Sequence, residues 1–476
     1  MQMLAEGKEL TANGREFKTA NGHEDTRNDS DEPSPNRRWT QIICVHLRLV
    51  FRFVEPLFAS ISVHSRFVIS VHSRSIKVVS TDRLAVVKVA GVNGVCQTRI
   101  VKSFTRSRLV SSSLAHLYEK VSAGERITEE DAVTLFRSGD LNSLGQIASI
   151  VRRRKNDNRA TYILNRYINY SNICVLSCQF CAFGARKRDP HAFEMAISEI
   201  GATTAESVRQ GITEVHMVGG LHPTLPGEWY IKLLETLRAL DPNLHIKAFT
   251  AIEIRHLAER IFKLPIQETL ETLRRAGLNS LTGGGAEIFD PVVRDRICRG
   301  KETAEEWKEV HRIWHGMGER STCTMLFGHI ETIEQRVDHL RHLRELQDET
   351  HGFTGFIPFA FVPETTELSH IRATSAVDQM RTLAVSRIYL DNFDHLTGYW
   401  ISLTLPVAQL SLAYGVDDLH GTLKEEKIFH MAGSKTPQEQ TVETLERTIL
   451  EAGFEPVQRD SYYRPMSRPT ADAVLA

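Results

Sequence analysis

The chain is poor in cysteine, with seven in 476 residues, too few for a disulfide framework. It lacks a charge imbalance: the formal net charge is −1, although 25% of the residues are charged. A general nucleic-acid binder would carry a net basic domain, so the near-neutral balance argues against that class. No apolar run reaches the roughly 20 residues that span a bilayer. The glycine run Gly283–Gly285 is not followed by Gly-Lys-Thr or Gly-Lys-Ser, which excludes a phosphate-binding P-loop. The composition fits an intracellular enzyme, expected in the cytoplasm with no membrane or nucleic-acid partner. The length allows one large barrel with attachments, or two to three smaller domains.

What is present is a cysteine cluster. Cys174, Cys178 and Cys181 form C-x3-C-x2-C within NICVLSCQFCAF, residues 172–183. Three thiolates this close can hold three irons of a 4Fe–4S cubane. No fourth cysteine lies nearby, so one iron is open to an exogenous ligand and to chemistry there. Two other readings stand beside this one, a zinc site with a distant fourth ligand and three reduced core cysteines. Zinc sites usually add a second cysteine pair or histidines at set spacing, and there is no second pair. Cys44, Cys96, Cys298 and Cys323 show no ligand spacing and are expected to be small buried hydrophobes.

The first 110 residues differ from the rest. Residues 1–36 are polar and read as disordered. Residues 37–108 hold 13 Lys or Arg against 2 Asp or Glu, a net of +11, and repeat ISVHSR word for word at Ile61–Arg66 and Ile69–Arg74. A targeting segment or a basic arm for an anionic partner is one reading. The favoured one is a mis-assigned start. Because Met195 is the next methionine after Met3, a start near residues 109–114 would need a non-standard initiation codon. From Leu114 the chain becomes orderly. Thr128–Asp131 resembles a capping box for a helix running to about Arg137 with Gly139 as its stop, and Leu141–Arg154 reads as a second helix. Residues 111–160 are thus a helical preface, 161–395 a core, and 396–476 a C-terminal segment completing the mouth of that core.

The core is expected to be an α/β barrel. Apolar, β-rich runs recur at Tyr162–Tyr170, Ile212–Gly219, His245–Ala251, Leu278–Gly283, Ser321–Gly328, Phe353–Phe361 and Arg387–Leu390. Helical periodicity fills the intervals, as in Glu228–Leu240 and Ile333–Glu349. Repeated βα units predict a parallel TIM-type barrel with its site at the C-terminal strand ends. Short motifs sit at those ends. The cysteine loop follows the first strand, Gly219-Gly220-Leu-His-Pro the second, Ala251-Ile-Glu253 ends the third, Gly283-Gly-Gly-Ala-Glu287 the fourth, and Gly328-His329 the fifth. Gly283–Gly285 suggests close approach of backbone to a cofactor or planar substrate, with Glu287 reaching the site as a catalytic candidate. His329 is either a satisfied histidine or a base. Arg294, Arg299 and Lys301 form a basic cluster, either a solvated helix start or a holder of a substrate carboxylate.

RYINYSNICVLSCQFCAFGARKRDPHAF, followed by EVHMVGGLHPTLP, resembles the menaquinone and deazaflavin branch of the radical S-adenosylmethionine (SAM) enzymes. The resemblance runs from about Leu114 to Tyr463. It implies a 4Fe–4S cluster on the three cysteines with SAM chelating the open iron, and Phe180 matches the aromatic that precedes the third cysteine. It implies further that Gly219 and Gly220 meet the methionine end of SAM, and that Glu253 accepts hydrogen bonds from a ribose or an ammonium. His222-Pro223 would fix the direction of the loop.

Within the branch, Val416–Thr422 and Glu425-Glu-Lys427 are most similar to the aminofutalosine synthases. That resemblance implies addition of the 5′-deoxyadenosyl radical to the enolpyruvyl double bond of 3-[(1-carboxyvinyl)oxy]benzoate. Arg294 and Lys301 would meet the dianionic acceptor, and a reduced flavodoxin or ferredoxin would supply the electron. The sister reactions are those of a dehypoxanthine futalosine cyclase and a deazaflavin synthase, and a zinc-stabilised protein without catalysis is a remote alternative. Deletion of residues 1–108 is expected to leave cluster assembly and turnover intact. Loss of either in the truncated protein, measured by iron content and SAM cleavage, would refute the mis-assigned start.

Overall fold

The computed structural model describes residues 110–466 and, apart from them, four strands within residues 67–100. Those strands, Phe67–His72, Ser75–Ser80, Arg83–Val92 and Val95–Ile100, pair antiparallel in chain order. They are dense in valine and isoleucine, which suits strands, and the sequence reading had not singled them out. They belong to a unit ending at Thr105, distinct from the unit Arg106–Ala476. The disorder expected for residues 1–36 lies outside the described residues. No helix among the described residues is long and apolar enough to cross a membrane.

The second unit opens with three helices, Ala115–Ala123, Glu129–Arg137 and Leu141–Asn156. The Thr128 hydroxyl accepts from the Asp131 backbone and the Asp131 carboxylate from the Thr128 backbone, a reciprocal capping box. The chain leaves this helix at Ser138, in extended conformation. Six parallel strands then follow in strict chain order: β1 Asn165–Ile168, β2 Glu214–Met217, β3 His245–Ala248, β4 Ser280–Leu281, β5 Arg320–Phe327 and β6 Phe353–Ala360. Helices cross between them, including Gly227–Leu240 and Ile333–Thr350. Sequential parallel order with helical crossovers is the topology of a (β/α) barrel.

The inner and outer faces of the strands differ in kind. On β2, Val215 and Met217 are fully buried. Glu214 and His216 point the opposite way, as strand alternation requires. On the inner side Asn165 donates to Glu214 at 3.3 Å, and Lys247 stands 4.0 Å from the same carboxylate. The barrel interior is therefore polar around these first strands.

A backbone path joins β6 to β1. The Phe356 amide donates to the His395 carbonyl, and the Thr397 amide returns to that of Phe356, both at 3.0 Å. Thr397 and Asp418 form a parallel bridge, with the Gly398 amide 2.8 Å from the Asp418 carbonyl. Asp418–Gly421 pairs with Arg159–Ile163, the strand that leads into β1, and Glu455–Gln458 pairs with that strand's other edge. Buried charges fix this seam. Arg459 grips Asp418 with two bonds of 2.6 and 3.0 Å, and Thr161, Thr397 and the His420 amide also donate to that carboxylate. Asp417 accepts from Arg387, His395 and the Leu396 amide.

One expected strand is absent. Arg387–Leu390 is the end of the helix Ala376–Tyr389, capped by the Ser375 hydroxyl. Nearly every residue from Gln379 to Tyr389 is buried, and periodicity alone does not separate a buried helix from a strand. Because Arg459 and Asp418 are both fully enclosed, Arg459→Met leaves an uncompensated buried carboxylate. It is expected to lower unfolding free energy by about 3–5 kcal/mol in urea titrations, and an unchanged midpoint would show that the pair does not hold the seam.

Candidate active site

The C-terminal ends of the strands surround a cavity of about 430 Å³. The cysteine loop forms one wall, and all three thiols of Cys174, Cys178 and Cys181 line it. Backbone bonds hold the loop at several points. The Cys174 amide donates to the Ala185 carbonyl at 2.9 Å, Val175 to Leu221 at 3.1 Å, and Gln179 to Ile297 at 2.8 Å. The Arg186 guanidinium donates to the Cys174 carbonyl at 2.9 Å and to the Ser177 hydroxyl. Burial pushes the thiols of Cys178 and Cys181 above the usual range, while the Lys301 ammonium opposes it. Among the described residues no three His, Cys, Asp or Glu side chains converge on a single metal ion. The three cysteines line one shared cavity. Cys298 and Cys323 are buried, and the same reading of Cys44 and Cys96 falls outside the side chains described.

Phe180, Gly219 and Gly220 line the cavity beside the thiols. The reason for the two glycines lies first within the protein. A Cβ on Gly220 would meet the Ile173 carbonyl oxygen at 2.4 Å, and one on Gly219 the Tyr170 ring at 2.5 Å. Gly283 likewise faces the Cys323 backbone at 2.4 Å, so the close approach there is of one strand to the next. After the glycine pair, the His222 imidazole accepts from the amides of Thr224 and Leu225 and stands 2.9 Å from Glu194, which fixes the loop's course.

Glu253 corrects the sequence expectation. Ala251–Glu253 opens the helix Ala251–His256 instead of ending a strand, with Thr250 and Glu253 as its capping box. One carboxylate oxygen accepts from the Tyr170 hydroxyl at 2.7 Å and the Gly219 amide at 3.0 Å. The other accepts from the Thr250 amide at 2.8 Å and hydroxyl at 2.9 Å. Both oxygens accept from protein donors, so Glu253, which also lines the cavity, joins the ends of β1, β2 and β3.

Two further candidates are also corrected. His329 is fully enclosed, with Nε2 3.0 Å from the Leu326 carbonyl while Nδ1 accepts from the Ile330 amide and lies 3.0 Å from Glu331. It does not line the cavity and is a satisfied histidine. Arg294 is buried and spends its donors on the carbonyls of Gly285, Ala286, Ile288 and Glu302. It pins the glycine loop instead of meeting a carboxylate. Arg299 is exposed and pairs with Asp295.

Glu287 and Lys301, by contrast, both line the cavity, paired at 2.5 Å. The Lys301 ammonium lies 5.3 Å from the Phe180 ring centre. Burial works against its charge, but Glu287 and Cys178 raise its pKa well above the ordinary lysine value.

The sequence reading missed Tyr167, His216, Thr322, Phe359, Tyr399 and Phe429, all in the cavity wall. A signal was available for His216, because Glu214-Val-His216-Met alternates polar and apolar as a strand with a polar inner face does. Glu426, quoted only within a motif, is also in the wall, and its carboxylate accepts from the amides of Ile428 and Phe429.

Residues 168–343 match the family described as the radical SAM superfamily, and residues 350–472 match the CofH/MqnC C-terminal region. The chain is 45% identical over 355 residues to the aminodeoxyfutalosine synthase of Thermus thermophilus, covering 74% of this chain and 95% of that one. The chain belongs to the radical SAM superfamily. It is 38% identical to the cyclic dehypoxanthine futalosine synthase of Streptomyces coelicolor, covering 74% of this chain and 88% of that one. Among solved structures, methylornithine synthase aligns with a TM-score of 0.58 at 19% identity, over 71% of this chain and 97% of its own, a likeness of fold.

As in other radical SAM enzymes, the cofactor is a 4Fe–4S cluster with SAM, and Cys174, Cys178 and Cys181 fit the C-x3-C-x2-C motif of the family. Gly220→Ala places a methyl group against the backbone just before Cys174, an overpacking of about 1–3 kcal/mol. This variant is expected to lose iron and sulfide after anaerobic reconstitution, while Gly316→Ala, whose Cβ meets nothing within 4 Å, keeps the full load. Equal loading of the two variants would refute the role given to that contact.

Proposed function

We propose that this protein is a radical SAM transferase joining the 5′-deoxyadenosyl group to the enolpyruvyl double bond of 3-[(1-carboxyvinyl)oxy]benzoate. Aryl migration and loss of the former carboxylate, which leaves with water as bicarbonate and gives back the electron used to cleave SAM, give 6-amino-6-deoxyfutalosine, on the way to menaquinone. The observation that carries this reading is the 45% identity to an aminodeoxyfutalosine synthase over 95% of its length. The chemistry supplied by the bound cluster is one electron for the reductive cleavage of SAM to methionine and the 5′-deoxyadenosyl radical. A flavodoxin or ferredoxin is the proposed donor, and the cytoplasm the proposed compartment.

The chain's own residues orient and enclose. Cys174, Cys178 and Cys181 hold the cluster at one wall, and Phe180, Gly219 and Gly220 shape the adjoining space for SAM. Lys301, held by Glu287, presents a cation beside Cys178 for a carboxylate of a bound reactant. Fixed placement of SAM and acceptor turns their encounter into a near-unimolecular step. The wall residues Val218, Leu326, Ile357 and Phe361 are apolar and help exclude water from the radical.

Mass spectrometry of a reaction with reconstituted enzyme, reductant, SAM and the enolpyruvyl benzoate tests the proposal. A product carrying the adenosyl group, absent with Cys178→Ala, is expected. Free 5′-deoxyadenosine with the benzoate untouched would move the substrate to that of a sister enzyme.

A further inference from the structure

We infer that the inner part of the cavity is an aryl-acid subsite, in which Tyr167, Phe359, Tyr399 and Phe429 enclose a planar ring and His216 and Thr322 hydrogen-bond its carboxylate. This rests on the reading above that the acceptor is a benzoate.

The rings form a continuous wall. Phe359 and Tyr399 are 5.0 Å apart between centroids, Phe359 and Phe429 5.3 Å, and Tyr399 and Phe429 5.5 Å, all tilted or edge-on to one another. Such a wall offers flat faces and edges to a further aromatic ring. Tyr167 and His216 lie within β1 and β2, whereas the cysteine loop and Gly219-Gly220 follow those strands, so this wall is deeper in the barrel than the cluster ligands. The His216 ring stacks on Tyr167 at 4.3 Å with 2° between planes, and the Tyr167 hydroxyl lies 3.3 Å from Nε2 of His420. His216 is thereby held in one orientation.

Two polar atoms here lack partners. Nδ1 of His216 and Oγ1 of Thr322 are buried with no hydrogen-bond partner in the protein among the described residues, although His216 is only 7% and Thr322 1% exposed. Buried polar groups are almost always paired, so each unpaired one calls for a ligand or water. Burial, aided by the Lys247 ammonium, keeps the His216 imidazole neutral, with its pKa well below the usual value. A neutral imidazole carries one N–H, and a threonine hydroxyl carries one O–H. Both can donate to a carboxylate once the side chains adjust to a bound ligand. An apolar planar ring with an acid at its edge satisfies the wall and these donors together.

The test uses 3-methoxybenzoate, which keeps the ring and acid but has no double bond to accept a radical. Its affinity for anaerobically reconstituted holoenzyme is read by titration calorimetry. His216→Phe keeps the ring stack and removes the donor. It is expected to weaken binding about tenfold or more, and Thr322→Val by about three- to tenfold, the loss for a hydrogen bond to a charged group. His216→Asn restores a donor and is expected to bind within about threefold of wild type on the same scale. The change that SAM makes in the electron paramagnetic resonance of the reduced cluster should be the same in all of them. Wild-type affinity in His216→Phe, or no binding of 3-methoxybenzoate to the wild type, overturns the subsite. If the probe binds through His216 while the enolpyruvyl benzoate gives no adduct, the proposed reaction fails and the subsite stands.

Discussion

A parallel sheet of six strands leaves two edges with unpaired backbone groups, and here those edges are joined through the Asp417-Asp418 pair. The backbone carbonyl of each accepts a ladder bond, Asp417 from Thr161 and Asp418 from Gly398. The two side chains are neutralised by Arg387 and Arg459. Closing the seam this way brings the C-terminal segment inward. Tyr399, Glu426 and Phe429 reach the cavity only because residues 396–421 are laced between β6 and the strand preceding β1. The enclosure that radical chemistry needs is therefore a consequence of one buried polar seam.

At the other end of the strands a single carboxylate does comparable work. Glu253 takes donors from Tyr170, Gly219 and Thr250, which lie just beyond β1, β2 and β3. Gly219 can approach because it has no Cβ to strike Tyr170, and Gly220 packs on the backbone that leads into Cys174. The position of the cysteine loop is thus set by contacts under it, with burial raising the pKa of Glu253 and four donors opposing that rise. Ligand geometry at such a loop inherits the rigidity of what supports it.

The barrel and its cysteine site were legible in the sequence because both are local. Strand alternation, helix caps and the spacing of three cysteines are properties of short windows. Arg387–Leu390 was misread because a fully buried helix shows no polar face. Arg294 and His329 were misread for another reason. Their types suit catalysis, but carbonyls of Gly285, Ala286, Ile288 and Glu302 consume the first, and the Leu326 carbonyl and the Ile330 amide occupy the two nitrogens of the second. Sequence shows which donors a residue carries and is silent on which backbone groups will take them. The cavity aromatics come from β1, β6 and the C-terminal segment, and only the closed fold makes them neighbours.

That division of labour bears on how one branch supports several reactions. The cluster ligands and the glycine pair come from residues 174–220, inside the region shared with the wider superfamily. Phe359, Tyr399, Glu426 and Phe429 come from residues 350–472, the region that marks the branch. In the proposed reaction the first set prepares the adenosyl group, and the second walls the space for the acceptor. Lys301 lies in the first of these regions by position and stands in the cavity wall paired with Glu287. In the proposed subsite, recognition of an anionic aryl acceptor falls on neutral donors deeper in the barrel, against rings of which Phe359, Tyr399 and Phe429 lie in that C-terminal region.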